Sequence, residues 1–277
     1  METTLATKRT FQITNHAPKV WLVGRSLPDP SQIEEFMAYR DRFWNFANAD
    51  EAQVASAGCS PQTLIELGGK VCYDSFHNPG NKTSQEYIHG SVIEHEHGSV
   101  LEHIALNFMV ASLPRSTQLE LVRHRAGMAY SFRSTRFTDS WLEFVVPPLL
   151  RLEQHAQERQ IFIDYSRKSF QVYSDIADAI DSDTQGDATL RRKRIKEAAR
   201  SVLPNSLGSD GLVTCNGRSL RHLIAMRTDP HADASIREFA YGLYLASVDT
   251  VPALFVDAEV IPQSFGTPHI KFAHPKV

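Results

Sequence analysis

Arg123-His124-Arg125-Ala126-Gly127-Met128-Ala129-Tyr130-Ser131-Phe132-Arg133-Ser134-Thr135-Arg136-Phe137 is the stretch on which the fold turns. Four arginines and a histidine fall within fifteen residues, interleaved with Tyr130, Phe132 and Phe137. Guanidinium presents a rigid fork of donors that matches phosphate and planar carbonyl groups. A dense cluster of such forks beside aromatic rings suits a ligand with phosphates and a flat ring. The alternative is a solvated basic face paired with acids.

Outward from this stretch, Leu119–Val122 is apolar except for Glu120, and Pro114 opens the helix that carries it. Ile104–Ala111 has the composition of a buried strand. Before it lies His95-Glu96-His97-Gly98-Ser99-Val100-Leu101-Glu102-His103. Gly98 breaks the preceding helix, and Ser99 with Glu102 three residues on has the spacing of a capping box. Thr83 or Ser84 caps that preceding helix, with Glu86 in its first turn. Further upstream, Asn78–Asn81 is a turn. Pro61–Ser75 is a helix whose inward face is read as Leu64, Ile65, Leu67, Val71 and Cys72. Ser31–Phe46 is a helix with Ile33, Phe36, Met37, Phe43 and Trp44 near one stripe, and Val20–Val23 is a short strand.

Downstream, Tyr130–Phe137 has weak strand character and Phe144–Val146 is a short apolar run. Leu149–Ile180 is a long helical pattern, Asp181–Asp187 a loop and Ala188–Ser201 a helix with a basic run at Arg191–Arg194. Leu212–Cys215 is a short strand, followed by helices over Gly217–Met226 and Ala232–Val248. The proline-bearing tail from Pro252 is assigned to the surface. The whole is expected to be one α+β domain over 1–277, a mixed sheet with flanking helices, with 1–60 as a peripheral extension.

Composition narrows the function classes. The chain is 42% hydrophobic and 22% charged, an ordinary globular balance. Its net charge of -3 argues against a dedicated nucleic-acid binder. Cys59, Cys72 and Cys215 are too few and too scattered for a disulfide framework or a CxxC zinc site. No apolar run approaches a membrane span and no secretory core is visible, so a cytoplasmic protein is expected. GxGxxG and GxxxxGK[ST] are both absent, so arginine side chains must grip any phosphate. The rival signal is metal binding by His95, His97, Glu102 and His103, whose spacing is not HExxH. A nucleophilic Cys215 would need a base within reach; none is identifiable, and no GxSxG elbow is present.

Several blocks together resemble the flavin-dependent thymidylate synthases. Arg123-His124-Arg125 followed by Ser134-Thr135-Arg136-Phe137 is similar to that family's signature. So are Gly69–Tyr73, His97–His103, Arg200–Pro204 and Asn216–Leu220 with Arg227 and His231-Ala232, all in the family's order. The resemblance implies an α/β homotetramer with active sites shared between subunits. It implies reductive C5 methylation of a uracil nucleotide, using FAD, NADPH and methylenetetrahydrofolate. FAD is then expected at Ser99, Glu102, Arg123, His124, Arg125, Asn216 and Arg218, with His97 at the flavin and folate face. Ser134, Thr135, Arg136, Arg200 and Arg227 are expected to hold the nucleotide, with Arg227 at the uracil ring and Arg136 and Arg200 on the phosphate. Two departures stand out. Glu120 replaces the family's usual glutamine, and Ser131-Phe132 take the place of its Asn-Glu in a spacer one residue longer. A carboxylate at Glu120 can accept a bond from an additional sugar hydroxyl, which favours UMP over dUMP and relates the chain to nucleoside-antibiotic pathways. A weakly active flavin- or nucleotide-binding homologue is the alternative within the family.

Overall fold

The computed structural model describes residues 9–41, 60–77, 82–138, 141–183, 187–264 and 266–277. In chain order, strands β1 (Thr10–Thr14) and β2 (Lys19–Arg25) precede helices α1 (Pro30–Tyr39), α2 (Gln62–Tyr73) and α3 (Ser84–Tyr87). Strand β3 (Ala105–Pro114), helix α4 (Arg115–Leu121) and strands β4 (Met128–Phe132) and β5 (Trp141–Val145) follow. Then come helices α5 (Ala156–Asp183) and α6 (Ala188–Ala199), strand β6 (Gly208–Asn216), helices α7 (Gly217–Arg227) and α8 (Ala234–Ser247), and strands β7 (Ala258–Ile261) and β8 (His269–Phe272). One sheet has four strands in the order β2-β3-β6-β4.

The chain divides into two compact units. The first holds the described residues up to Lys19 with Val110–Arg123 and Ser131–Gly211, and the second holds Val20–Met109, His124–Tyr130 and Leu212–Val277. In the first, β1 pairs in parallel with β5, Thr10 facing Trp141 and Thr14 facing Val145. Leu142, Phe144, Tyr173, Ala177, Ile195 and Leu207 form its core, covered by Phe11, Phe162 and Phe170. The period of α5 and α6 presents these side chains on one stripe, which is why two strongly charged helices bury a face at all.

In the second unit α2 buries Ile65 as its apolar residues suggest, with Leu64 and Leu67 half-buried, but it turns Val71 and Cys72 outward and buries polar residues beside its glycines. Val71 is 52% exposed and Cys72 is exposed, while Ile65, Glu66, Gly69 and Lys70 are buried. The cause is the glycine pair. A Cβ on Gly68 would lie 2.5 Å from the His103 ring and one on Gly69 2.6 Å from the Tyr87 hydroxyl. Only the Gly68-Gly69 side admits such close neighbours, so the helix rotates to present it. Glu66 is then held by the Ser84 hydroxyl at 2.6 Å and by Lys70 at 3.7 Å.

Other expectations are refined. Helix α1 begins as read but closes at Tyr39; Phe43, Trp44, Cys59 and the Asn78–Asn81 turn lie outside the described residues. The capping box forms at Thr83 and Glu86, where the Thr83 hydroxyl accepts from the Glu86 amide. It does not form at Ser99. There Gly98–His103 is a 3₁₀ turn with no side-chain cap, because Glu102 reaches Arg218 at 2.9 Å instead. The long helix starts at Ala156, after two short 3₁₀ turns behind Pro147-Pro148. The tail is surface only in part. Leu254, Ile270 and Val277 are buried, and β7 and β8 form an antiparallel hairpin.

Candidate functional site

In the first unit, α4, the Ser134 turn and the end of α6 surround a cavity of about 310 Å³. Pro114 starts α4, and the amides of Arg115 and Ser116 donate to the carbonyls of Leu207 and Asn205 at 3.0 and 3.1 Å. Arg115 and Gln118 line the cavity from this helix. Opposite, Phe137 N–H donates to the Ser134 carbonyl and the Arg136 amide to the Ser134 hydroxyl, closing a serine turn at 3.2 and 3.3 Å. That turn places Ser134 and Thr135 on the wall, and Arg200 donates to the Thr135 hydroxyl at 3.4 Å. None of the described lining residues is acidic, and Arg115, Arg133 and Arg200 are cationic.

Of the residues expected on the nucleotide, Ser134, Thr135 and Arg200 are thus brought together. Arg136 is not on the lining and forms an ion pair with Glu197. Glu120 is half-buried on α4 and also off the lining. Arg115, Gln118 and Ser209 join the wall without having been assigned there. Arg115 lies eight positions before Arg123 in the sequence, and nothing local marks it as a residue that faces inward.

In the second unit, Arg227 and His124 meet. The Arg227 Nε–H donates to His124 Nε2 at 2.9 Å. Burial, then the Arg227 charge and His222, push the His124 imidazole down to about 4. The ring is therefore neutral at physiological pH, with Nε2 as acceptor. The Tyr130 hydroxyl donates to the His124 carbonyl at 2.7 Å, and burial raises that phenol.

The same unit holds the turn that follows His124. Gly127 has φ +64°, and the Asn216 amide donates to its carbonyl at 3.0 Å. Asn216 caps α7 by accepting from the Ser219 amide at 2.8 Å, and the Ser219 hydroxyl reaches the Ala126 carbonyl at 2.7 Å. Arg218 and Glu102 pair beside them, while Ser99 and Arg125 are exposed. Arg123, also exposed, belongs to the first unit. A Cβ on Gly127 would fall 2.2 Å from Asn216 Nδ2 and 2.4 Å from Ser219 Oγ. Gly127→Ala is therefore expected to lower stability by about 1–3 kcal/mol, the scale of a forced left-handed residue plus a displaced cap. Gly90→Ala, where the nearest atom is 4.0 Å away, is the control; equal thermal midpoints for the two variants would refute the constraint.

In the histidine cluster His95 and His97 stack with ring centroids 5.9 Å apart, and each histidine has a further partner. His95 Nδ1–H donates to the Gly90 carbonyl at 2.8 Å, His97 Nε2 pairs with the Tyr73 hydroxyl at 3.0 Å, and the His103 ring packs on Gly68. Among the described residues no three histidine, cysteine or carboxylate groups are placed to hold a metal ion. Cys215 is buried, and burial pushes its thiol up to about 12, so it is a core residue and carries no thiolate. No helix among the described residues is long and apolar enough to cross a membrane.

Residues 54–253 match the family described as Thymidylate synthase complementing protein. A flavin-dependent thymidylate synthase of Mycobacterium sp. (strain KMS) is 37% identical over 220 residues, which cover 74% of this chain and 82% of that protein. That of Mycobacterium tuberculosis (strain ATCC 25177 / H37Ra) is 36% identical over 216 residues, with the same coverage of 74% and 82%. The fold is the mixed α/β fold of solved structures. The UMP/dUMP methylase PolB from Streptomyces cacaoi, bound with 5-Br UMP, has a TM-score of 0.61 at 21% identity, over 88% of this chain and 95% of that one. The flavin-dependent thymidylate synthase of Helicobacter pylori complexed with FAD and dUMP has a TM-score of 0.56 at 18% identity, over 86% and 98%. The chain belongs to the flavin-dependent thymidylate synthase family.

Proposed function

We propose that the chain catalyses FAD-dependent reductive C5 methylation of a uracil nucleotide, UMP ahead of dUMP, with methylenetetrahydrofolate as carbon donor and NADPH as reductant. The observation that carries this is the cavity in which Arg115, Arg200, Ser134 and Thr135 converge. Guanidinium forks and hydroxyls without a described carboxylate are the donor set of a phosphate site. Arg136 joins them on release from Glu197. The family resemblance assigns Arg227, held side-on by neutral His124, to the uracil ring, where a guanidinium stabilises the negative charge that develops.

The donors of Ser99, Arg123, His124, Arg125, Asn216 and Arg218, with Glu102 orienting Arg218, fit a flavin with its phosphates. They mix cations, an amide and a hydroxyl; Asn216 caps α7, and Arg218 in its first turn pairs with Glu102. When bound, FAD supplies the hydride. His97, oriented by Tyr73, stands at the flavin and folate face. Residues 1–277 act as one catalytic domain in a homotetramer with shared sites, in the cytoplasm. Glu120 lies on α4 off the described lining, so the preference for UMP requires its carboxylate to reach the ribose 2′-hydroxyl when the nucleotide binds. The name of the PolB relative, which carries both UMP and dUMP, supports a site of this latitude.

The test is to incubate the purified protein with FAD, NADPH and methylenetetrahydrofolate, with UMP and dUMP in parallel. A flavin spectrum with 5-methyl product mainly from UMP is expected. Product mainly from dUMP would remove the role given to Glu120 and leave the reaction standing. No product from either would refute the reaction.

A further inference from the structure

We propose that the cavity of the first unit also takes a nucleoside 5′-diphosphate of uracil, with Arg133 as the residue that grips the second phosphoryl group. The proposal rests on the cavity being the uracil-nucleotide site and extends it to a second ligand class. Arg133 lines the same cavity as Arg115 and Arg200, and its place is set from three sides. Its guanidinium carbon lies 4.5 Å from the centre of the Trp141 ring, and Nη1 donates to the Trp141 carbonyl at 3.4 Å. Its backbone N–H donates to the Asp210 carbonyl at 2.9 Å, and its own carbonyl accepts from the Ser209 hydroxyl at 3.2 Å. A guanidinium laid on an indole is less hydrated and loses less freedom when it binds an anion. Its geometry is that of a prepared anion grip.

The cavity offers more than a phosphomonoester can use. A phosphomonoester carries at most about two negative charges at neutral pH, and two guanidinium forks already match them. Arg115, Arg133 and Arg200 make three cations in one cavity. The hydroxyls of Ser134 and Thr135 add neutral donors. Three cations therefore exceed the charge of a monophosphate by about one. Elsewhere in the unit a neighbouring carboxylate compensates a surplus cation, as Glu197 does for Arg136. Arg133 is instead paired with an aromatic ring, which keeps its charge available. A second phosphoryl group supplies the missing charge.

The experiment is calorimetric titration of the full-length protein with UMP, dUMP, UDP and dUDP, repeated with Arg133→Leu and Arg133→Lys. Wild type should bind each diphosphate at least about tenfold more tightly than its monophosphate, the scale of one added charged hydrogen-bonding contact. The two forms should compete for one site. In Arg133→Leu the ratio should collapse towards one, and Arg133→Lys should recover only part of it, since lysine lacks the fork. Equal or weaker binding of diphosphates by wild type would overturn the proposal while leaving the monophosphate site intact, and this arm needs no variant to fold. Equal losses for both ligand classes in Arg133→Leu would overturn the role of Arg133. If no uracil nucleotide binds at all, the nucleotide assignment itself fails, and the proposal with it.

Discussion

Arg227→Ala is expected to lower turnover by about 10²–10³-fold, the loss typical of one preorganised donor aimed at developing charge. The side chain is not free to wander. Its Nε–H is committed to His124 Nε2 at 2.9 Å, which fixes the plane of the fork and directs its remaining edge. Lysine offers a single rotating ammonium and no side-on donor, so Arg227→Lys should recover little. A second readout separates this from a general loss of structure. Burial is the larger cause of the lowered His124 value and the Arg227 charge the next. Removing the arginine should raise the His124 value above about 4, though not to its ordinary value, as followed by NMR titration of the ring. The folded value lies below the ordinary one of about 6.5. The contribution of neutral His124 to stability is therefore complete above that pH and is lost as pH falls towards about 4. A His124 titration unchanged by Arg227→Ala, or turnover within a few-fold of wild type, would remove the pair from the mechanism.

Arg221→Met is expected to cost about 3–5 kcal/mol, because it strips the partner from a buried carboxylate. Arg221 and Asp257 have side chains only 1% and 2% exposed and meet at 2.7 and 3.1 Å through both nitrogens. Arg221 also donates to the carbonyls of Leu254 and His274, and its guanidinium lies 4.2 Å from the centre of the Phe272 ring. One side chain of α7 thus ties down the last strand and the turn before β7. Burial by itself would raise the Asp257 carboxyl; the bonds and charge of Arg221 outweigh it and hold it below the usual range. The stability it contributes is therefore present above an ordinary carboxylate value of about 3.9 and is lost as pH falls through the lower folded value. Thermal unfolding at neutral pH should show the double change Arg221→Met, Asp257→Leu to be less damaging than Arg221→Met alone, since no unpaired charge stays buried. A double variant as unstable as the sum of the two single changes would contradict this account.

The amino-acid sequence by itself determined which side chains could grip an anion and the order of the helices. Arginine is charged and forked wherever it lies, so the stretch from Arg123 to Phe137 could be read for a phosphate-bearing ligand before any contact was known. Proline, glycine and capping residues act within a few positions of themselves, so Thr83 with Glu86 and Pro114 before α4 were legible too. What depended on distant partners was not. The inward face of α2 was set by His103 and Tyr87 pressing on two glycines. Glu102 left its expected cap for Arg218, 116 residues away, because an opposite charge is a stronger partner than a neighbouring amide. Part of the tail was buried by Arg221 of α7, although its prolines resemble surface. Tertiary structure alone decided which arginines share a cavity. Arg115, Arg133 and Arg200 converge, Arg136 is taken by Glu197 and Arg227 by His124. Residue type sets what a side chain can bind, whereas the fold sets which partner reaches it first.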